Sequence, residues 1–515
     1  MDLGKYTLLY NTYTLNQINM KKIILSVFMC LVAVVASAQV ARPKLVVGLV
    51  VDQMRWDYLY YYYDKYGEGG MKRLLAEGFS CDNQMLNYVP TVTGVGHASI
   101  YTGAAPSTNG IAANDFYLGD KRIYCCDDPN VKGVGTTDKA GMMSPVNMLG
   151  TTVGDMLRAA SDYRSKVIGV ALKDRASILP AGHSANAAYW YDKSVAGFIT
   201  STWYMEQLPE WVKKFNKASG MKKGYDPKVH ADGVTLTFRM AEAALKNEQL
   251  GKGDATDMLC ISVSSTDAIS HQTGTWLSPG KENEEAFLTL DRGMKEFFDA
   301  LDAQVGKGNY LLFLTADHGG THNPNTTRQH KLPGGSWDSG ATMKQLNEQL
   351  KGEFGADIRY VKDIIGESIY LDHNAISGAK LCLDKVKGAA VRLLMDDPQF
   401  NFVVDYEKAA SAPVPQWIRE RIINGYYRGR SGDIMAMPKV NYYDWHIADD
   451  FYGSTHGSWS AADTHIPLVF MGWHIKPGHT NRQTFMVDTA PTICALLHIQ
   501  MPDACIGNAI TEVTD

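Results

Sequence analysis

Acidic and imidazole side chains follow three short apolar runs of this chain. They are Asp52 after Lys44–Val51, Asp267 and His271 after Met258–Ser264, and Asp317 with His318 after Tyr310–Thr315. A single aspartate after a strand is usually a helix cap or a turn residue. Three such positions, two of them with a nearby histidine, form a ligand set that suits zinc, with another divalent metal as an alternative in one position. We therefore predict a metal site.

The spacing of these residues limits how they can meet an ion. Asp267 and His271 are four residues apart, so either one helical turn or a compact loop lets both side chains face one metal. Asp317 and His318 are adjacent, and the following Gly319 and Gly320 permit the bend that two neighbouring ligands require. Neither pair is a complete zinc site, so a third ligand is needed for each ion.

The elements that position these residues alternate between strands and helices, which predicts an α/β fold with a largely parallel central sheet flanked by helices. The predicted strands are Lys44–Val51, Lys166–Ala171, Met258–Ser264, Tyr310–Thr315 and Ile466–Met471. The predicted helices are Met71–Glu77, Thr151–Ala160, Glu282–Ala303 and Thr492–His498. In such a sheet ligands bind beyond the carboxyl ends of the strands, where the acidic residues stand.

Two stretches, 185–256 and 319–453, fit this alternation poorly. We interpret them as insertions that rise over the active-site edge of the sheet. Since the chain has no internal repeat and no low-complexity tract, we expect residues 39–515 to form a single catalytic domain. A separate small domain is the alternative.

The N-terminus has the composition of an export signal. Lysines at 21 and 22 precede the apolar run Ile23–Val35, and the small residues Ala36-Ser37-Ala38 follow it. We expect residues 20–38 to be cleaved, which predicts a periplasmic protein without a membrane anchor. Residues 1–19 are interpreted as an extension from a misplaced start codon. A permanent transmembrane anchor is the alternative, although the run is short for a bilayer.

Charge and cysteine content narrow the function classes. The net charge of −5 is spread over 515 residues without a basic run, which argues against a nucleic-acid partner. Seven cysteines follow the apolar run, and an oxidising compartment would permit disulfides among them. We predict one bridge, between Cys494 and Cys505. No Cys-x-x-Cys pair of the zinc-finger type is present, so a structural zinc held by cysteines is not expected.

Six segments match one family over nearly the whole chain after the signal. They are, in order, VVDQMRWDY, NYVPTVTGVGHASIYTGAAPSTNGIAAND, LKDRASILPAGH, SSTDAISH, TADHGG and STHGS. With these segments the chain resembles the nucleotide pyrophosphatase/phosphodiesterase branch of the alkaline phosphatase superfamily, most closely its phosphate-irrepressible alkaline phosphatases. The resemblance implies an alkaline phosphatase-like fold and the hydrolysis of small-molecule phosphate monoesters at two zinc ions.

The resemblance also implies the role of each site residue. One zinc is held by Asp267, His271 and His456, and the other by Asp52, Asp317, His318 and the oxygen of Thr93. Thr93 is the implied nucleophile, which would pass through a phosphothreonine. A helix that starts near Gly94 fits this role because its amides favour an anion. The alternative is that Thr93 merely caps that helix, and we interpret the neighbouring His97 as structural.

The choice between monoesters and diesters depends on the groups around the phosphoryl oxygens. Lys173 and Arg175 follow the predicted strand Lys166–Ala171, and Arg can bind two phosphate oxygens at once. In the monoesterases that the chain resembles, this pair and an asparagine matching Asn114 bind the phosphoryl group. Diesterases of the family generally lack the pair. The sequence therefore favours phosphate monoesters, with inorganic phosphate as product and competitive inhibitor. We expect a monomeric enzyme, although no sequence feature indicates the oligomeric state.

Other functions fit less well. A nucleotide pyrophosphatase or phosphodiesterase is the first alternative, and a non-catalytic phosphate-binding relative is the second. Arylsulfatases require a Cys-x-Pro-x-Arg or Ser-x-Pro-x-Arg segment, which the stretch from Cys125 to Pro129 does not provide. Cofactor-independent phosphoglycerate mutases share the metal scaffold but are cytoplasmic, which conflicts with the export signal.

Overall fold

A ten-stranded sheet forms the centre of the computed structural model, which describes residues 17, 20, 22, 40–137, 139–444, 448 and 450–514. Its strands, labelled in chain order, are β1 Leu45–Val51, β2 Phe79–Cys81, β3 Gly133–Val134, β4 Val167–Ala171, β5 Ala187–Asp192, β6 Gly197–Ser201, β7 Asp257–Val263, β8 Tyr310–Thr315, β9 Leu468–Gly472 and β10 Gly478–Thr480. Their order across the sheet is β10-β2-β9-β8-β1-β7-β4-β5-β6-β3.

The middle of the sheet is parallel. Strand β1 pairs in parallel with β7 and β8, β7 with β4, and β4 with β5. Every residue of β1, β7 and β8 is buried, which explains why these strands read as continuous apolar runs. Parallel neighbours end at the same edge, so the residues that follow β1, β7 and β8 are brought together there. The predicted fold class is confirmed.

Helices cover the sheet, and three of them carry site residues: α1 Thr93–Thr102, α2 Asp174–Ala181 and α3 Ser265–Thr273. The other helices are Tyr58–Tyr61, Met71–Glu77, Pro106–Asn109, Val153–Ala160, Glu210–Ala218, Asp232–Asn247, Glu282–Gln304, Pro324–Gln329, Ser339–Phe354, His373–Gly378, Leu383–Met395, Gln416–Gly425, Ala461–Thr464, Thr489–Leu497 and Thr511–Thr514. Among the described residues, none of these helices is both long and apolar enough to cross a membrane.

A second, four-stranded antiparallel sheet lies within 319–453 and has a hydrophobic core of its own. Its strands, in spatial order, are Val361–Ile365, Ser368–Leu371, Ile434–Pro438 and Phe400–Asp405. Three small sheets complete the fold, formed by Gly335–Trp337 with Tyr442–Asp444, by His465–Ile466 with Gln84–Met85 and Thr484–Phe485, and by Asp115–Leu118 with Lys121–Tyr124.

The structure differs from two expectations about the strands. The predicted strand Ile466–Met471 is interrupted at Pro467, so that Ile466 belongs to a small sheet while β9 joins the central sheet antiparallel to β8. Proline cannot donate a ladder hydrogen bond, which explains the break. The segment 185–256 contributes β5 and β6 to the central sheet instead of standing wholly outside it.

The predicted disulfide is wrong, because Cys494 and Cys505 are both free. Cys494 is fully buried in the helix Thr489–Leu497, whereas the Cys505 thiol faces the Gly507 carbonyl at 3.9 Å.

Contacts divide the chain into Met1–Arg42 and Pro43–Asp515. In the first unit, the described residues 17, 20 and 22 are helical. The remainder of the predicted start extension and export signal lies outside the described residues, as does Cys30. All the elements above belong to the second unit.

Candidate active site

The six carboxylate and imidazole residues that the sequence singled out lie in two groups. We name them the inner cluster, Asp52, Asp317 and His318, and the outer cluster, Asp267, His271 and His456. Within each cluster one ligand atom per residue lies within 4.8 Å of the others. The rings of His318 and His456 stack with centroids 3.6 Å apart, so the two clusters adjoin.

The inner cluster is built by neighbouring strands. Asp52 follows β1 directly, and Asp317 and His318 stand just beyond the end of β8, which pairs with β1. His318 Nε2 is 3.6 Å from Asp52 Oδ1 and 3.3 Å from Asp317 Oδ2. All three side chains are fully buried.

The outer cluster combines a helix with a loop. Helix α3 follows β7 and brings Asp267 and His271 together across one turn, so that His271 Nε2 is 3.1 Å from Asp267 Oδ1. His456 comes from the loop before Ala461–Thr464, and its Nε2 is 3.5 Å from the same oxygen. This helical turn is one of the two arrangements that the spacing of four allowed.

Backbone carbonyls fix the tautomers of the three histidines. In each ring Nδ1 faces a carbonyl oxygen: Ser454 at 2.8 Å from His271, Gly319 at 2.9 Å from His318, and Thr91 at 2.8 Å from His456. A carbonyl only accepts, so each Nδ1 carries the proton and each Nε2 presents a lone pair to its cluster. This is the arrangement by which metal-ligating histidines are oriented.

The carboxylates have the oxygens that a cation would need. Asp52 Oδ1, Asp267 Oδ1 and Asp317 Oδ2 are buried and have no hydrogen-bond partner among the described residues. The second oxygens of Asp52 and Asp267 both accept from Lys173 Nζ, at 2.6 and 2.5 Å. Burial and the charges of Asp267 and Asp317 raise the pKa of Asp52 well above its ordinary value. A divalent cation at each cluster would coordinate the unpartnered oxygens and offset the repulsion between the carboxylates. The residues therefore fit a pair of metal ions.

Thr93 lies beside the inner cluster as the first residue of α1, with its hydroxyl oxygen 3.5 Å from His318 Nε2. Gly96 allows the helix to lie close to the end of β8, because a Cβ atom at this position would lie 2.2 Å from the Asp317 carbonyl oxygen. The Gly94 amide donates to Asn114 Oδ1 at 2.8 Å, so the NH₂ group is the part of this side chain that can donate to a ligand.

His97 has structural contacts only. Its Nδ1 is 2.9 Å from the Thr93 carbonyl oxygen and 3.3 Å from Asp317 Oδ2, and its Nε2 is 2.8 Å from the Ser262 hydroxyl. The ring is fully buried and links helix α1 to the inner cluster.

Lys173 and Arg175 occupy the start of α2, immediately after β4. Lys173 holds one carboxylate from each cluster, so it stands between them. Arg175 Nη1 donates to the Tyr124 hydroxyl at 3.0 Å, and that hydroxyl donates to Asp174 Oδ1 at 2.5 Å. These two hydrogen bonds therefore position the Arg175 guanidinium.

Sequence reasoning missed two residues that support the site. Tyr124 lies far from Arg175 in the chain, and no motif marks it. Asp463 is buried and accepts from the Thr321 hydroxyl at 2.9 Å and the Ser458 amide at 3.0 Å, which ties the loop that follows β8 to the loop that carries His456. Burial raises the pKa of Asp463 to about 6. Only its position seven residues after His456 could have drawn attention to it.

Comparison with known proteins agrees with this geometry. The family model for type I phosphodiesterase / nucleotide pyrophosphatase matches residues 46–459. The chain belongs to this family. The resemblance predicted from the motifs is therefore confirmed.

Individual relatives refine the position of the chain within the family. Alkaline phosphatase PafA of Elizabethkingia meningoseptica is 43% identical over 528 residues, covering 92% of this chain and 95% of that protein. A Myroides odoratus protein named calcium-transporting ATPase is 43% identical over 553 residues, covering 96% of this chain and 100% of that protein. The crystal structure of PafA superposes with a TM-score of 0.88 at 41% identity, covering 93% of this chain and 100% of that chain. This family member therefore has the alkaline phosphatase fold.

Proposed function

We propose that this protein is a metal-dependent alkaline phosphatase that hydrolyses small-molecule phosphate monoesters through a phosphothreonine on Thr93. One observation carries the proposal: two three-residue ligand clusters adjoin, the Thr93 hydroxyl lies beside one of them, and Lys173 holds a carboxylate of each. The two ions are zinc in this proposal, because aspartate and histidine ligands suit it. The enzyme acts as a monomer in the periplasm, after cleavage of residues 20–38.

The residues of the site divide the reaction between them. Thr93 Oγ1 forms the new bond to phosphorus while the bond to the leaving oxygen breaks in line with it. The leaving oxygen takes up a proton and departs as an alcohol or phenol. Water then attacks the phosphothreonine, inorganic phosphate leaves, and Thr93 regains its proton.

Three donors stabilise the charge on the equatorial phosphoryl oxygens throughout both steps. Lys173 has three ammonium protons, of which two are used by Asp52 and Asp267 and the third is available to substrate. The Asn114 NH₂ group and the Arg175 guanidinium supply the others. When bound, zinc supplies Lewis-acid polarisation and lowers the pKa of the threonine hydroxyl, which is otherwise a weak nucleophile.

The alternative is a nucleotide pyrophosphatase or phosphodiesterase, which the name of the matching family model favours. A diester has one negative charge on its phosphoryl oxygens where a monoester has two. The cationic groups of Lys173 and Arg175 can bind and stabilise the second negative charge of a monoester. They therefore support monoesters as the substrate class.

The experiment compares an aryl phosphate monoester with its methyl diester, before and after chelation and in Thr93→Ala. We expect kcat/KM to favour the monoester, the chelator to remove the activity, and zinc to restore it. Thr93→Ala should lower kcat by about 10⁴-fold or more, because it removes the oxygen that attacks phosphorus in the proposed mechanism. Inorganic phosphate should inhibit competitively.

Thr93→Ser is the matched control, since it keeps a hydroxyl on the same atom position and should retain measurable turnover. Activity that survives complete metal removal would contradict the mechanism. A preference for the diester, with little effect of Lys173→Ala and Arg175→Ala, would instead establish the phosphodiesterase. Zinc binding without turnover of either ester would indicate a non-catalytic relative.

A further inference from the structure

A cavity of about 420 Å³ shares Lys173 and Arg175 with the active site. Its other walls include residues 190–194 at the carboxyl end of β5, together with Asp226 and Lys228. Strands β4 and β5 are parallel neighbours, which places this cavity at the same sheet edge as the two clusters. The volume lies in the range of small-molecule sites, and none of the six cluster residues lines it.

Four cationic side chains and three carboxylates line the cavity, which is a formal excess of one positive charge. Lys193 and Lys228 share a single carboxylate oxygen, Asp226 Oδ2, at 3.8 and 3.6 Å. Both distances are longer than the roughly 2.8 Å of a strong charged hydrogen bond. One carboxylate therefore serves two ammonium groups, and neither of them makes a short ion pair with a described residue.

Arg175 adds to this excess. Among the described residues its guanidinium makes no ion pair; Nη1 donates to the neutral Tyr124 hydroxyl, and the buried Nε has no hydrogen-bond partner. One oxygen of the Asp174 carboxylate accepts from both the Tyr124 hydroxyl and the Arg175 amide, and the carboxylate makes no ion pair with the guanidinium.

The last acidic residue of the wall, Asp192, also accepts hydrogen bonds from neutral donors and makes no ion pair among the described residues. It accepts from the Thr136 hydroxyl at 2.7 Å, from the Ser194 hydroxyl at 2.9 Å and from the Ser194 amide at 2.8 Å. The wall groups that lack a close partner among the described residues are therefore hydrogen-bond donors or cations: the two lysine ammonium groups, the Arg175 Nε and the Tyr191 hydroxyl.

We propose that this cavity binds a second anionic group, a carboxylate or phosphate, carried by the non-reacting part of the phosphate monoester. The inference rests on the proposed phosphatase function. Lys193 and Lys228 bind that group, while Lys173 and Arg175 bind the reacting phosphoryl group. The buried rings of Trp190 and Tyr191 provide an apolar wall for the part of the substrate between the two groups. The preferred substrates are then monoesters with a second negative charge.

The test uses two esters of the same shape, 3-carboxyphenyl phosphate and the neutral 3-carbamoylphenyl phosphate. The readout is the ratio of their kcat/KM values, which cancels differences in enzyme concentration and folded fraction. In the double variant Lys193→Gln, Lys228→Gln we expect this carboxylate-to-amide ratio to fall by about tenfold, as for the loss of one charge-assisted contact. Raising the salt concentration should reduce the ratio in the wild type.

Asp226→Asn provides a change of opposite sign. The amide keeps the oxygen that caps the Lys228 amide but removes the negative charge shared by the two lysines, so the ratio should rise by about threefold. A folding defect could not raise it. Lys223→Gln, an exposed lysine of the same loop, is the control and should leave the ratio at its wild-type value.

The proposal fails if the double variant hydrolyses both esters with the wild-type ratio, or if Asp226→Asn lowers that ratio. A different result bears on the phosphatase function itself: if the wild-type, zinc-loaded protein hydrolyses neither ester, the proposed activity is contradicted before the cavity is tested.

Discussion

The inner and outer clusters have the same kinds of ligand and different access to solvent. The side chains of Asp52, Asp317 and His318 are fully buried, whereas His271 is 33% exposed and His456 is 9% exposed. The inner residues follow β-strands in the middle of the sheet, and the outer residues lie on a helix and a loop. In the proposed mechanism this difference would give Thr93 a buried environment and leave the outer cluster accessible to the leaving group and to water.

The largest effect on activity is expected when one histidine is removed from each cluster. His318→Ala and His271→Ala should each lower kcat/KM by about 10³-fold or more, because an incomplete ligand set holds zinc poorly. Added imidazole should partly restore His271→Ala, whose position is reached from solvent, and should not restore His318→Ala. Rates are measured with an aryl phosphate in saturating zinc. Equal rescue of both variants would contradict the difference in access.

A smaller effect on kcat/KM is expected from substituting two glycines, each of which lets two backbone segments lie close together. A Cβ at Gly96 would lie 2.2 Å from the Asp317 carbonyl oxygen, and one at Gly453 would lie 2.0 Å from the His271 carbonyl oxygen. We expect Gly96→Ala to cost about 100-fold in kcat/KM, since the buried strand end cannot yield, and Gly453→Ala about tenfold, since its loop can shift.

Steady-state kinetics and bound zinc per chain measure these two variants. If Gly453→Ala proves the more damaging, the outer cluster is the more rigid of the two, and the comparison is reversed.

Metal release gives a kinetic version of the same comparison. With excess chelator we expect zinc to leave in two phases, the first from the outer cluster, at rates that differ by about tenfold or more because exposed ligands exchange faster than buried ones. Zinc content and activity are followed together over time. His271→Ala should lack the fast phase. A single phase for both ions in the wild type would refute the distinction.

The smallest effect is a difference in titration between two histidines of the metal-free protein. Burial lowers the pKa of His318 to about 3, so this ring stays neutral down to acidic pH. Burial also acts on His271, but the adjacent Asp267 carboxylate outweighs it and raises the pKa above the ordinary 6.5. His271 should therefore be protonated at pH 6 and His318 should not. Nitrogen-15 NMR, assigned with His271→Asn and His318→Asn, measures both; coincident titration would contradict the expectation.

The sequence predicted the central strands well because β1, β4, β7 and β8 are buried on both faces and bounded by polar residues. It also placed Asp52 and Asp317 at one edge, since parallel strands end together. His456 was different: it lies in a loop after a long insertion, and only the family motif indicated it. The two strands within 185–256 depend on which strands become neighbours, and this is decided by tertiary packing. The break at Pro467, by contrast, follows from a proline that is visible in the sequence.

Contacts between distant polar groups were beyond prediction for a similar reason. Nothing in the local sequence connects Tyr124 with Arg175, although one hydrogen bond joins them. The supposed disulfide failed because closeness in the chain does not determine where two thiols point.

The position of Lys173 between Asp52 and Asp267 affects the net charge of the site. Three carboxylates and one ammonium leave the ligand set with two net negative charges, and two divalent cations turn this into two net positive charges. A dianionic ester neutralises that total, whereas a monoanion leaves a surplus. A neutral residue at this position would make a singly charged ester the better match. In this count of the metal ligands and Lys173, one side chain changes by one unit the charge that the metal-loaded site presents to the ester.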